Sequence, residues 1–268
     1  MNRLPDYAER LAALHAALAD DFRRIIADLP LTGGETCIDA GCGDGFFAGL
    51  LAERLDNGTT IALDNSPAYL AVCRRRLAAH SAASRTSVVE GDVAAMPFDA
   101  ASVDAVWSVH SMQSYADIPR VLREFRRVLR PGGLLAVLES DSVHSIMLSW
   151  PPDLELSLRQ AEQRQIGDED SYIGAYFPRF AQRLLREAGY HDITRQYMFL
   201  SRQRPCGAML ERYIELYLKE MLEQHGPGLS ERAQARLAAL ASPDAAQFLP
   251  RQENFFFGSL QVLLTARA

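Results

Sequence analysis

Lysine is almost missing from this chain: Lys219 stands alone among 28 basic residues in a sequence of 268. We read that bias as the mark of a GC-rich genome before reading it as function. A basic excess is missing too. The formal charge is −6, so no positive field attracts a polyphosphate backbone, and a nucleic-acid partner is not expected. No uninterrupted apolar run approaches the roughly 18 residues that a membrane helix needs, so no membrane association is expected. The opening Met1-Asn2-Arg3-Leu4-Pro5-Asp6 lacks the basic-then-apolar order of a secretory signal. Cysteine is scarce, and Cys37, Cys42, Cys73 and Cys206 form no CxxC pair. That argues against a disulfide framework and a zinc site, and for a cytoplasmic protein. No His/Asp cluster at ligand spacing suggests another metal, so none is expected.

What is present is an ordinary globular composition, 48% apolar and 23% charged. From Asp6 to Leu29 apolar residues recur at helical spacing until Pro30 ends the pattern. Short apolar runs then alternate with helical patterns: strands at Thr36–Ala40, Thr60–Leu63, Ser87–Glu90, Val103–Ser108 and Leu134–Glu139, with helices between them. Strands this uniformly apolar, alternating with helices, predict an α/β fold: a doubly wound, mostly parallel sheet covered on both faces. Arg130-Pro131-Gly132-Gly133 reads as a breaker between the helix Ile118–Leu129 and the fifth strand. After Glu139 come helical patterns near Leu154–Gln165 and Arg179–Ala188, a strand from Ile193 to Leu200, a helix-rich stretch from Cys206 to Leu240, and a last strand, Phe255–Thr265. The expected organisation is an N-terminal lid helix (1–30), a ligand-binding core (31–141), and a region (142–268) holding a helical cap and the last two strands of the same sheet.

The sharpest motif is Asp39-Ala40-Gly41-Cys42-Gly43-Asp44-Gly45-Phe46 at the first strand-to-helix turn. Glycines there permit positive φ and let a ligand lie against the backbone. A dinucleotide loop of the GxGxxG type would need glycine where this chain has Phe46. Pyrophosphate also prefers a helix N-terminus without carboxylates, whereas Asp39 and Asp44 favour a ligand carrying positive charge. Asp64 ends the second strand, where a carboxylate can accept both hydroxyls of a ribose. Gly91-Asp92 follows the third, where a carboxylate can take the amino group of an adenine. Singly, each aspartate is equally a turn residue or helix cap. Together, they stand at the strand ends where open α/β sheets bind ligands.

In these residues the chain resembles the class I S-adenosylmethionine-dependent methyltransferases, on the branch of the quinone-biosynthesis enzymes. The resemblance covers Thr36 to Glu139, through Ile38-Asp39-Ala40-Gly41-Cys42-Gly43, Asp64-Asn65-Ser66-Pro67, Gly91-Asp92-Val93, Val103-Asp104-Ala105-Val106 and Val128-Leu129-Arg130-Pro131-Gly132-Gly133. It is loose in the second half. It implies a seven-stranded sheet whose last strand is antiparallel, and S-adenosylmethionine as cofactor. Asp39, Gly41 and Gly43 would hold its methionine end, Asp64 its ribose, and Asp92 with Val93 its adenine. Asn65 stands where an apolar residue usually packs on adenine, and can stack through its amide plane. The fourth strand ends in Trp107-Ser108-Val109-His110 rather than the Asn-Pro-Pro-Tyr type of tetrad used on exocyclic or amide nitrogens; Ser108 is counted among the cofactor contacts.

A small-molecule acceptor is therefore expected, with O-methylation preferred over C- or N-methylation. Trp150, Tyr172 and Tyr176 could line an aromatic acceptor pocket, Arg179 could clamp an acidic acceptor, and Tyr7 could close over the cofactor. Each has a plain alternative as core, solvated or packing residue. His144, beyond the fifth strand, is the first candidate for a general base and His110, beyond the fourth, the second. Two other readings stay open: a nicotinamide-dependent oxidoreductase on a related sheet, and a non-catalytic module that keeps the cofactor pocket. The sequence carries no expectation about oligomeric state.

Overall fold

The computed structural model describes residues 3–142, 145–165 and 173–268. Its strands are β1 (Thr36–Ala40), β2 (Thr59–Asp64), β3 (Thr86–Glu90), β4 (Val103–Val109), β5 (Leu129–Glu139), β6 (Met147–Leu148), β7 (His191–Gln203) and β8 (Phe256–Arg267). They form one sheet in the order β3-β2-β1-β4-β5-β8, with β6 and β7 also hydrogen-bonded to β8. Pairings among β1 to β5 are parallel, and β8 runs antiparallel to β5, β6 and β7. The doubly wound sheet with an antiparallel last strand is as expected. The two-residue β6 makes eight strands where the resemblance implied seven. From β1 the chain steps outward to β2 and β3, then returns to β4 on the other side. The crevice between the ends of β1 and β4 is thus the topological switch point, where such sheets bind ligands.

The helices are α1 (Ala8–Ala17), α2 (Ala19–Ala27), α3 (Phe46–Arg54), α4 (Pro67–Ala78), α5 (Ile118–Val128), α6 (Pro152–Gln165), α7 (Phe177–Glu187), α8 (Ala208–His225) and α9 (Glu231–Ala241). The single N-terminal helix expected from periodicity is two, broken at Leu18, whose φ of −114° leaves the helical region. The break lets α1 lie along α8 while α2 packs on α3. Two ion pairs fasten α1 to α8, Arg10–Glu220 at 2.6 Å and Arg212–Glu9 at 2.6 Å. α1, α2 and α8 therefore pack over one face of the sheet, around Phe22, Leu51, Trp107 and Phe257. The opposite face is sealed by α5 and α7 around Phe125, Val106 and Phe177.

The breaker Arg130-Pro131-Gly132-Gly133 also behaves differently from the expectation. It lies inside β5, where an irregularity in register passes from Val103 opposite Leu129 to Ala105 opposite Leu134. Gly132 absorbs the extra length at φ +77°, a conformation that costs glycine nothing.

Candidate active site

The loop from β1 to α3 is built on glycine for two different reasons. Gly41 (φ +76°) and Gly43 (φ +52°) both lie in the left-handed region. A Cβ on Gly41 would sit 2.9 Å from the hydroxyls of Ser111 and Tyr115, so the loop is backed tightly there. A Cβ on Gly43 would meet only the Tyr69 ring at 4.0 Å, leaving room for a ligand. Backbone amides fix the loop. Gly41 and Cys42 both donate to the Leu63 carbonyl, at 2.9 and 3.0 Å, and Gly43 donates to Oδ2 of Asp64 at 2.9 Å. Oδ1 of Asp64 accepts from Ser66 N at 2.9 Å, and the Asp64 carbonyl accepts from Gly91 N at 3.0 Å. Each carboxylate oxygen keeps a second lone pair.

Asp39, buried at the end of β1, is the unusual group. Its Oδ2 has no hydrogen-bond partner among the described residues. Burial, and then the neighbouring charges of Asp64 and Asp44, push its carboxyl up to about 8. Asp44 is held by Arg76 at 2.6 Å, whereas no described cation bonds Asp39. A buried carboxyl with a spare oxygen beside an open glycine backbone favours an ammonium-bearing ligand, so the residues fit the methionine end of the expected cofactor. Farther along the strand ends, Asn65 and Asp92 are exposed, and Asp92 accepts from Ala94 N at 2.8 Å. Val93 is half-buried and packs on the core. Thus Asp39, Gly41, Gly43, Asp64, Asn65, Asp92 and Val93 follow one edge of the sheet. Ser108 is fully buried, its hydroxyl 3.3 Å from that of Tyr115, which in turn donates to the Ala40 carbonyl at 3.2 Å. The sequence did not single out Tyr115, because its role arises only when β1 and β4 are neighbours.

His110 leaves β4 with φ +48°, its backbone N–H donating to Leu138 O at 3.0 Å. Its Nε2 lies 2.7 Å from Oε1 of Gln261 on β8. Burial lowers the pKa of His110, and the bond to Gln261 offsets part of that shift. Close by, His15 of α1 is buried: its ring stacks on Phe46 at 4.9 Å, meets Phe22 and Phe47 edge-on, and neither nitrogen has a partner among the described residues. Burial, then the proximity of His110 and Arg76, drives its pKa to about 3, so it is neutral. Phe22 bridges the two imidazoles, 5.9 Å from His15 and 6.3 Å from His110. Glu139, at the end of β5, accepts from the Ser111 and Met112 amides at 2.8 and 2.9 Å, and burial raises its carboxyl to about 7.

Of the remaining candidates, His144 and Tyr172 lie outside the described residues. Tyr7 is exposed at the start of α1, its phenol beside that of Tyr69. Trp150 is buried in the core, its ring 6.3 Å from Tyr217. Arg179 lies 4.7 Å over the half-buried Tyr176 ring and forks onto the buried Asp141 through Nε and through Nη2 at 2.8 Å. Among the described residues no His/Cys/Asp/Glu group could hold a metal, and no helix is long and apolar enough to cross a membrane.

The chain is similar to known methyltransferases. A family model described as "Methyltransferase domain" matches residues 38–137. The demethylmenaquinone methyltransferase of Symbiobacterium thermophilum is 30% identical over 193 residues, 66% of this chain and 77% of that protein. The malonyl-[acyl-carrier protein] O-methyltransferase of Serratia marcescens is 31% identical over 60% of this chain and 55% of its own length. An uncharacterized protein of transposon TN4556 from Streptomyces fradiae is 33% identical over 69% of this chain and 51% of its own length. The chain thus spans about half the length of the latter two relatives. A SAM-dependent methyltransferase structure from Aquifex aeolicus superposes with a TM-score of 0.54 at 17% identity, over 70% of this chain and 90% of that one. The [4+2]-cyclase SpnF gives 0.57 at 18% identity, over 97% and 93%. These structural likenesses concern the fold.

Proposed function

The chain belongs to the class I S-adenosylmethionine-dependent methyltransferases, and on that premise we propose that it transfers a methyl group to the hydroxyl of a small-molecule acceptor. The observation that carries the cofactor half is the buried, unpartnered oxygen of Asp39 beside the open backbone of Gly43. Asp39, with Gly41 and Gly43, would hold the methionine end. The free lone pairs of Asp64 suit the ribose hydroxyls, and Asp92, Val93 and Asn65 suit the adenine. When bound, S-adenosylmethionine supplies a sulfonium-activated methyl group.

The protein's own part is to place the acceptor, exclude water and take up a proton. A hydroxyl must lose its proton on methylation, whereas a neutral amine needs no base before attack. His110, kept neutral by burial at the ligand edge of β4, is the described residue suited to that work, which supports O-methylation. The half-buried Phe46 ring, edge-on to the buried Phe22, would suit an apolar acceptor. The net charge of −6 speaks against a nucleic-acid acceptor. The nicotinamide reading loses ground, because the Asp64 carboxylate is bonded to the loop and the acidic Asp39 beside it has no cation partner, a setting that disfavours a pyrophosphate. Calorimetry with S-adenosylmethionine and S-adenosylhomocysteine tests the cofactor half. Release of S-adenosylhomocysteine with phenolic, amine and carbon-acid acceptors tests the rest. No binding of either compound by the folded protein would overturn the proposal; binding without turnover on any acceptor would favour the non-catalytic module.

A further inference from the structure

The side chain that orients His110 comes from the far end of the chain. Gln261 is buried on β8, and its Oε1 lies 2.7 Å from Nε2 of His110. Which atom carries the hydrogen follows from the next two bonds. The Ser259 hydroxyl donates to the Ser145 carbonyl at 2.7 Å. A hydroxyl has one hydrogen, so toward Gln261 it can only accept, and Nε2 of Gln261 donates to it at 2.9 Å. The other end of the amide is then the carbonyl oxygen, which can only accept. Nε2 of His110 must therefore carry the ring hydrogen, and Nδ1 keeps its lone pair. That Nδ1 makes no hydrogen bond among the described residues and is not wholly buried, so its lone pair is free to accept.

We infer that Gln261 and Ser259 are positioning residues that lock His110 in its Nε2–H tautomer and so hold Nδ1 as a proton acceptor at the ligand edge of β4. The use of that lone pair rests on the methyl-transfer reading; the tautomer does not. During O-methylation the acceptor's O–H bond would break and its proton go to Nδ1 as the oxygen–methyl bond formed and the sulfur–methyl bond broke, leaving that electron pair on a neutral thioether. The imidazolium so produced keeps its Nε2–H on Gln261. The positive charge that arrives with the methyl group leaves on the proton, so the step balances. Were the Gln261 amide not held by Ser259, it could turn over, and either tautomer of His110 would then find a partner in it.

The test is the ring ¹⁵N spectrum of histidine-labelled, cofactor-free protein, with His110 assigned by its loss in His110→Asn. In the wild type Nε2 should resonate at the protonated, pyrrole-like limit and Nδ1 at the pyridine-like limit. Gln261→Met removes the acceptor at nearly constant shape. Ser259→Ala leaves Gln261 in place but frees its amide to turn over. Both variants should pull the two signals toward averaged positions. A wild-type spectrum showing Nδ1–H, or limiting shifts unchanged in both variants, overturns the inference. Calorimetry with S-adenosylhomocysteine on the same samples separates the two ideas, because absent cofactor binding would remove the methyl-transfer reading and leave the tautomer result standing.

Discussion

The amide of Gly43 donates to the carboxylate of Asp64 at 2.9 Å, so the glycine loop after β1 is fastened to the end of β2 before any ligand arrives. Asp64 thus shapes the loop, and on the proposed reading it also receives the ribose. Asp64→Ala should weaken S-adenosylmethionine binding by about 2 kcal/mol or more, through lost charge-assisted hydrogen bonds and a loosened loop. Calorimetry on the folded variant measures this, and unchanged affinity would remove Asp64 from the site.

Two glycines two residues apart should fail in different ways. Gly41→Ala forces a Cβ to 2.9 Å from the Ser111 and Tyr115 hydroxyls at φ +76°, and should cost about 1–3 kcal/mol of stability in urea titrations. Gly43→Val, whose Cβ points to open space, should lose stability only through the strain of a β-branched residue at φ +52°, and, measured where it is folded, should no longer bind cofactor. Equal affinities for wild type and Gly43→Val would make that loop position purely structural.

Protons should be released when the cofactor binds. Asp39 holds a proton up to about pH 8, and an ammonium beside it favours the ionised form. At pH 7 the binding heat should therefore vary with the ionisation enthalpy of the buffer, in the sense of proton release, and Asp39→Asn should abolish that dependence. A buffer-independent heat in the wild type would mean that Asp39 is already ionised.

The same groups set how stability varies with pH without cofactor. His15 charges readily only when unfolded, so its contribution is complete above pH 6.5 and lost as pH falls toward 3. Asp39 and Glu139 bind protons more tightly when folded. Their contributions are complete at low pH and lost as pH rises, Asp39 between 3.8 and about 8, Glu139 between 4.5 and about 7. Between pH 6.5 and 8 only the carboxyl losses remain, so the melting temperature should fall across that window. Asp39→Asn should flatten the fall; an undiminished slope in that variant would contradict the assignment.

His15→Phe keeps the stacking on Phe46 and deletes two buried, unpartnered nitrogens. Stability at pH 7 should rise by about 1–3 kcal/mol. Denaturant titration would show a loss instead if those nitrogens were hydrogen-bonded to water.

Much of the candidate site's geometry was legible in the sequence because it depends on local rules. Glycine spacing, carboxylates at strand ends and apolar runs are set by backbone sterics, turn chemistry and periodicity over a few residues. From these followed the doubly wound sheet, the loop at Asp39 to Gly45, and the placing of Asp64 and Asp92 on one edge. Other features needed the assembled fold. The break at Leu18 exists because α1 and α2 pack on different partners, α8 and α3. The Arg130-Pro131-Gly132-Gly133 stretch stays in β5 because β4 is there to pair with it across a register shift. His15 became an aromatic-core residue, and Arg179 the partner of a buried Asp141, only once helices distant in sequence were stacked. Gln261 meets His110 across 151 positions of chain. Sequence determines what each segment can form, while the burial and partners that fix a side chain's charge, tautomer and reach are properties of neighbours that only packing supplies.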